Sequence, residues 1–235
     1  MSTSLGIVIP WRPTPTRLKA FEAVLDYYKS RFPESKIYLE DYRSKIFNLS
    51  ASRNVGCEKA FADGCEYVLV VDADSFVPVD AVSKALDVVK EKGIACFAFE
   101  FVIHLSSNEL LDDFAKSEFD FSVAEGFGPK MPSHMSSAIV LSKKVFKELN
   151  GWDERFIGWG HEDMAFAEAH WAVYGSLISR ATNELMVMAF HEDRNFSKEL
   201  DNRNIYLDYM KLKEGNNYKS KMISRILGNR LNRKD

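Results

Sequence analysis

Three groups of residues in this chain have the types and spacing that chemistry needs. Asp72-Ala73-Asp74 follows four apolar residues, VLVV. Alternate residues of an extended chain point the same way, so the two carboxylates can converge on one cation. Mg²⁺ and Mn²⁺ prefer such oxygen ligands and share them readily with phosphates. His191 ends a second apolar run, LMVMAF, and can add an imidazole, a donor that suits Mn²⁺ better than Mg²⁺. Glu162-Asp163 stand at an expected helix start, where the dipole favours ionised carboxylates able to bind hydroxyl groups or accept a proton. Each group also has a plain structural reading: a solvated strand-end turn, a packed histidine, a helix cap. His104, His134, His161 and His170 show no ligand spacing.

The segment around the last group, NGWDERFIGWGHEDMAFAEAHW at 150–171, is unusual in composition. Gly151, Gly158 and Gly160 argue against a helix interior, where each costs roughly 1 kcal/mol relative to Ala. Trp152, Phe156, Ile157 and Trp159 argue against a plain surface loop. Together with Asp153, Glu154, Glu162, Asp163 and Glu168 they predict the wall of a site, with rings to stack on a ligand and carboxylates to bind its hydroxyls.

These residues need elements to hold them. LGIVIPW reads as a buried first strand, 17–31 as a helix and SKIYLEDY as a second strand. NLSASRNVGCEKAFADG reads as a helix capped by Asn48 or Ser50 and ended by Gly64. EYVLVVDADSFVP is a third strand, 79–92 a helix closed by Gly93, and IACFAFEFVIHL a fourth strand. The alternation predicts an α/β fold, a mostly parallel sheet flanked by helices, with the ligand at the carboxyl ends of the strands. Asp72 and Asp74 lie at such an end. Residues 106–132 show few periodic signals and are expected to be a variable loop or short helices. Beyond them, MSSAIVLS resumes a strand, KKVFKELNG forms a short helix, 162–174 a longer one, and ELMVMAF a last strand leading into His191.

At 235 residues, 46% hydrophobic and 28% charged, the chain has the composition of an ordinary globular protein. No apolar run approaches a membrane span, and a cytoplasmic location, peripheral to a membrane at most, is expected. Cys57, Cys65 and Cys96 are odd in number without zinc spacing, so free thiols are expected. From residue 211 onward eight residues are basic and two acidic, a tail of +6 on a body of −9. Met222, Ile223, Ile226, Leu227 and Leu231 share a face there, ringed by Lys221, Arg225, Arg230 and Arg233. Either this helix packs on the domain, or it meets an anionic surface.

Taken in order, VIPWR, ASRNVG, VVDAD, GWDERFIGWGHEDM and AFH resemble the GT-A glycosyltransferases. The fourth is similar to the galactosyltransferase C-terminal motif and to the polypeptide N-acetylgalactosaminyltransferases. The resemblance implies a GT-A domain over 1–195 and a basic helical extension over 196–235. It implies Mn²⁺ or Mg²⁺ on Asp72, Asp74 and His191, and a nucleotide-sugar donor, a UDP-sugar, against Pro10, Trp11, Arg12, Glu40 or Asp41, Arg53, Asp72 and Trp159. Glu162 would bind sugar, and Asp163 would be the base of an inverting transfer. The retaining polypeptide-modifying members carry Asn at that place, and many relatives carry Gly where this chain has His161. The acceptor is open among protein, glycan, lipid and modified nucleic acid. A retaining transferase, a metal-dependent nucleotidyltransferase, for which PWRPTPTR lacks a glycine-rich loop, and a non-catalytic binding module are the competing readings.

Overall fold

The computed structural model of the protein describes residues 4–42, 44–132, 137–191, 197–213 and 217–230. The first strand, β1 (Leu5–Pro10), is followed by a 3₁₀ turn (Pro15–Arg17) and α1 (Leu18–Arg31), then β2 (Lys36–Glu40), α2 (Leu49–Ala62) and β3 (Tyr67–Val71). Next come β4 (Ser75–Phe76), α3 (Val79–Lys92), β5 (Cys96–Phe97), β6 (Phe101–His104), α4 (Asn108–Lys116) and α5 (Phe121–Ala124). The chain continues through β7 (Met131–Pro132), β8 (Ala138–Ser142), α6 (Lys143–Glu148), α7 (Glu162–Tyr174), β9 (Ser179–Arg180), β10 (Leu185–Met188), α8 (Glu199–Leu212) and α9 (Tyr218–Leu227).

The main sheet has the order β2-β1-β3-β8-β5-β9. β1 pairs parallel with β2 and β3, β8 is antiparallel to both its neighbours, and β5 is parallel to β9. Ile7, Val8, Ile9 and Val68–Val71 are buried, as expected of strands covered on both faces. α2 lies close on β1 because residue 56 is glycine; a Cβ there would stand 2.3 Å from Val8 Cγ1. Asn48 caps α2 by accepting from the Ala51 N–H at 2.8 Å. All three cysteines are buried free thiols.

The expected fourth strand is two strands in two sheets. IACFAFEFVIHL is apolar throughout, so nothing in its pattern marks the break between β5 and β6. β6 joins a second sheet, β4-β10-β6-β7. There Met188 of β10 pairs with Ser75 of β4, and the Ala189 N–H donates to the Asp74 carbonyl at 2.7 Å. That pairing carries His191 to the side of Asp74. From α1, the Tyr27 hydroxyl donates to the Val77 carbonyl (2.7 Å) and the Tyr28 hydroxyl to the Ser75 carbonyl (3.2 Å), fixing the chain just after Asp74. The segment after residue 105, weakly patterned in sequence, folds as α4 and α5 because Phe114, Phe119 and Phe121 join Tyr27 and Phe76 in one aromatic cluster.

The extension packs on α7. Tyr209, Met222 and Ile226 are buried in the same core as the sheet, while Ile223 and Leu227 face solvent. Leu231, placed on the apolar face in the sequence, and Arg233, placed in the basic ring around it, lie outside the described residues, as does His134.

Candidate active site

Arg53, one turn into α2, is the centre of the site. Its side chain is 3% exposed, and it donates to Asp72 Oδ1 at 2.9 Å and to Asp163 Oδ1 at 2.6 Å, with Glu162 Oε1 at 3.7 Å. The guanidinium also lies 5.5 Å from the ring of Trp152, which stacks on Phe166 at 4.4 Å. Burial alone would lower the Arg53 pKa, but three carboxylates outweigh it, so the cation is permanent. Behind this cluster is a cavity of about 10 Å³, room for about one water, lined in part by Arg53, Trp152 and Asp163. The Arg53 Nε, buried, has no protein partner.

The carboxylates feel their surroundings differently. Burial, followed by the charge of Asp163, pushes Glu162 up to about 8, so it carries a proton at neutral pH. Its Oε2 accepts from the Gly160 N–H at 3.1 Å. Burial also raises Asp72; Arg53 opposes this, and the charges of Asp74 and Asp163 add to it. Burial would raise Asp74 too, but His191, Arg17 and Ser75 overcome it, and Asp74 lies below the ordinary carboxylate value.

Asp74 and His191 come together as the sequence suggested, with Nε2 to Oδ2 at 3.1 Å. Asp72 faces Arg53, and among the described residues no three His, Cys, Asp or Glu side chains converge as a ready metal cage. The Asp74 oxygen and the His191 nitrogen touch each other, and with Asp72 two residues away in the chain they are donors of a type that fits a divalent ion such as Mn²⁺ or Mg²⁺. His191 Nδ1 is buried without a partner. Arg17, absent from the sequence-based site, is the third member: its Nη2 is 2.9 Å from Asp74 Oδ2 and 3.2 Å from His191 Nε2.

The residues expected around a nucleotide base gather where β1 and β2 end. Pro10 is buried, and Trp11 stacks on Phe21 at 4.2 Å. Arg12 forms a two-pronged pair with Asp41 (2.9 and 2.6 Å) and donates to the carbonyls of Ser44 and Tyr42. Glu40 accepts from Lys59 at 2.7 Å. Arg12 and Asp41 therefore tie two loops together, and Glu40 is neutralised from α2.

The segment 150–171 is corrected in part. Trp152 and Phe156 are buried in the core and cannot stack on a ligand; Trp159, 40% exposed, can. Gly151 answers to packing: at φ +65 a Cβ would meet Asn54 Oδ1 at 2.2 Å. Of the five acids only Glu162 and Asp163 face the site. Asp153 accepts from the Tyr209 hydroxyl (2.8 Å) and pairs with Arg155, Glu154 pairs with Arg230 (2.8 Å), and Glu168 pairs with Lys213 (2.6 Å). Three acids thus hold the chain beyond 196, two of them, Glu154 and Glu168, by ion pairs with basic residues of the tail. His161, at φ +71 in the left-handed region, directs its ring away to stack on Tyr206 of α8 and to approach Glu199 at 3.3 Å. Asn202 of α8, unmarked in sequence, accepts from the Ile157 N–H and donates to the Ile157 and Trp159 carbonyls at 3.0–3.2 Å.

A mixed sheet with aspartates at its strand ends, facing a Glu-Asp pair at a helix start, defines a GT-A glycosyltransferase. The family described as glycosyltransferase like family 2 matches residues 28–200, and the chain belongs to it. No curated protein matches the sequence. Among solved structures, the catalytic domain of Drosophila β1,4-galactosyltransferase 7 is 18% identical with a TM-score of 0.50, over 77% of this chain and 65% of that one. S. aureus TarS 1-349 is 12% identical with a TM-score of 0.52, over 95% and 71%. GalNAc-T7 is 12% identical with a TM-score of 0.50, over 96% and 54%. This chain thus spans just under two thirds of the Drosophila domain and about half of GalNAc-T7. No described helix is long and apolar enough to cross a membrane.

Proposed function

We propose that the protein transfers a sugar from a UDP-sugar to an acceptor hydroxyl with inversion at the anomeric carbon. The observation that carries this reading is Arg53, one buried guanidinium joining Asp72 to the Glu162-Asp163 pair. The donor side and the acceptor side of a displacement are thereby held in fixed relation. In support, similar structures were determined with UDP-Gal, manganese and xylobiose (the Drosophila enzyme), with UDP, GalNAc and Mn²⁺ (GalNAc-T7), and with UDP-GlcNAc (TarS).

Asp72, Asp74 and His191 would hold Mn²⁺ or Mg²⁺, which when bound offsets the charge of the leaving diphosphate as a Lewis acid. Asp163 takes the acceptor's hydroxyl proton as that oxygen bonds to the anomeric carbon, and the bond from this carbon to the diphosphate oxygen breaks with its electron pair. Glu162, protonated, donates a hydrogen bond to a sugar hydroxyl. Trp159 offers its face to the sugar, and Trp11 and Arg12 border the base. Incubation with a panel of nucleotide sugars should release UDP in a Mn²⁺-dependent manner, and NMR of the product should show the inverted anomer. Turnover indifferent to EDTA would overturn the metal-dependent reading, and release of pyrophosphate in place of UDP would mark a nucleotidyltransferase. One observation favours retention: Asp163 Oδ1 is already held by Arg53 at 2.6 Å, as befits a positioning carboxylate. A retained anomer would decide for it.

A further inference from the structure

Asp74 Oδ2 and His191 Nε2 lie 3.1 Å apart, and Arg17 Nη2 touches both, at 2.9 and 3.2 Å. A single guanidinium nitrogen therefore uses the same two donor atoms that a divalent cation would use. The two positive groups cannot share them, because at such separations like charges repel strongly outside bulk water. We propose that Arg17 is a tethered counter-ion of the Asp74–His191 pair, which gives way to the divalent cation and turns to the donor's diphosphate, so that cation and nucleotide bind cooperatively. This rests on the metal-dependent reading above.

The placement of Arg17 suits such an exchange. It closes the short 3₁₀ turn after β1, its side chain is 35% exposed, and it meets Asp74 and His191 through one nitrogen. A guanidinium released next to a diphosphate finds a better-matched partner, since phosphate oxygens accept its paired N–H groups. The charges make the same point. Asp74 and Arg17 balance one another; a divalent ion added to them leaves a surplus of two positive charges, which the diphosphate of a nucleotide sugar cancels. Cation affinity should therefore rise when nucleotide is present, and by linkage nucleotide affinity should rise by the same factor when the cation is present.

The test is a MnCl₂ titration of the full chain, following free Mn²⁺ by EPR, with and without UDP. Wild type is expected to bind Mn²⁺ at least ~10-fold more tightly with UDP, within the usual range of coupling between sites. Arg17→Gln, which removes the charge, should bind Mn²⁺ about 10-fold more tightly than wild type without UDP and gain less than about 3-fold from UDP. Arg17→Lys keeps a charge on the same turn and should stay near wild type without UDP. If Arg17→Gln binds Mn²⁺ without UDP no better than wild type, the counter-ion is overturned while the metal-dependent reading stands. If Arg17→Lys matches Arg17→Gln, charge is not the cause and the proposal falls. A wild type that binds no Mn²⁺ even with UDP overturns the metal-dependent reading and the proposal with it.

Discussion

Each aspartate of the Asp72-Ala73-Asp74 motif has its own arginine, and the two are built differently. Arg53 comes from the buried face of α2, is 3% exposed and serves three carboxylates over a tryptophan ring. Arg17 comes from a surface turn, is 35% exposed and serves one carboxylate and one imidazole. A buried guanidinium with three carboxyl partners, Glu162 buried and Asp72 and Asp163 partly so, cannot leave without stranding them; a partly exposed one has water to replace what it loses. The motif therefore has a fixed side, at Asp72, and a looser side, at Asp74, which is the side the proposed exchange uses.

The comparison breaks most readily at Arg53. Arg53→Met should cost about 3 kcal/mol in urea unfolding near neutral pH, since it leaves the partly buried carboxylates of Asp72 and Asp163 without their cation. A loss under about 1 kcal/mol would show that the three carboxylates do not depend on it. Asp163→Asn keeps the shape of the cluster but removes one charge. It should lower turnover at least about 100-fold while sparing donor binding, the usual scale for a general base. Retained turnover would move Asp163 from base to positioning residue.

Glu162 sharpens the fixed side through pH. Its folded pKa of about 8 lies above its ordinary 4.5, so between these values the folded protein holds a proton that the unfolded chain has lost. That contribution to stability is complete below about pH 4.5 and is lost as pH rises through about 8. The Tm of wild type should thus fall more steeply from about pH 6 to about pH 9 than that of Glu162→Gln. Parallel curves would remove Glu162 as the source.

Smaller effects are expected farther out. Asn202→Ala should cost about 1–3 kcal/mol, because it unpairs backbone groups of Ile157 and Trp159, and should raise KM for the sugar more than it lowers kcat. An unchanged KM would mean that the loop holds its shape without α8. Arg17→Gln should change stability by under about 1 kcal/mol, the scale of a partly exposed pair. A larger loss would make the looser side a second fixed one.

What the sequence showed and hid follows the range of the interactions. β1, β3, α2 with its Asn48 cap and α7 from Glu162 to Tyr174 were legible because periodicity and capping are local. Asp72, Asp74, Glu162, Asp163 and His191 stood out because each sits where an apolar run or a helix begins or ends. The division of 95–105 between two sheets was not legible, since it depends on which strands β5 and β6 meet. Trp152 looked like a ligand wall because burial cannot be read from an aromatic residue next to glycine. Arg17 and Asn202 carry no local mark at all. Their partners lie 57 and about 45 residues away, and a surface arginine or a helical asparagine is ordinary until those partners are in place.

The three hydrogen bonds between Asn202 and the backbone of Ile157 and Trp159 have a practical consequence for enzyme design. A segment such as 150–171, rich in glycine, tryptophan and acids, invites transplantation between relatives as a self-contained cassette. Here its backbone is read by α8, its His161 ring leans on Tyr206, and its Asp153 accepts from Tyr209. Moved alone, the cassette would arrive without the surface that shapes it. The unit that can be exchanged between such enzymes is the loop together with the helix behind it, although nearly thirty residues separate them in the chain.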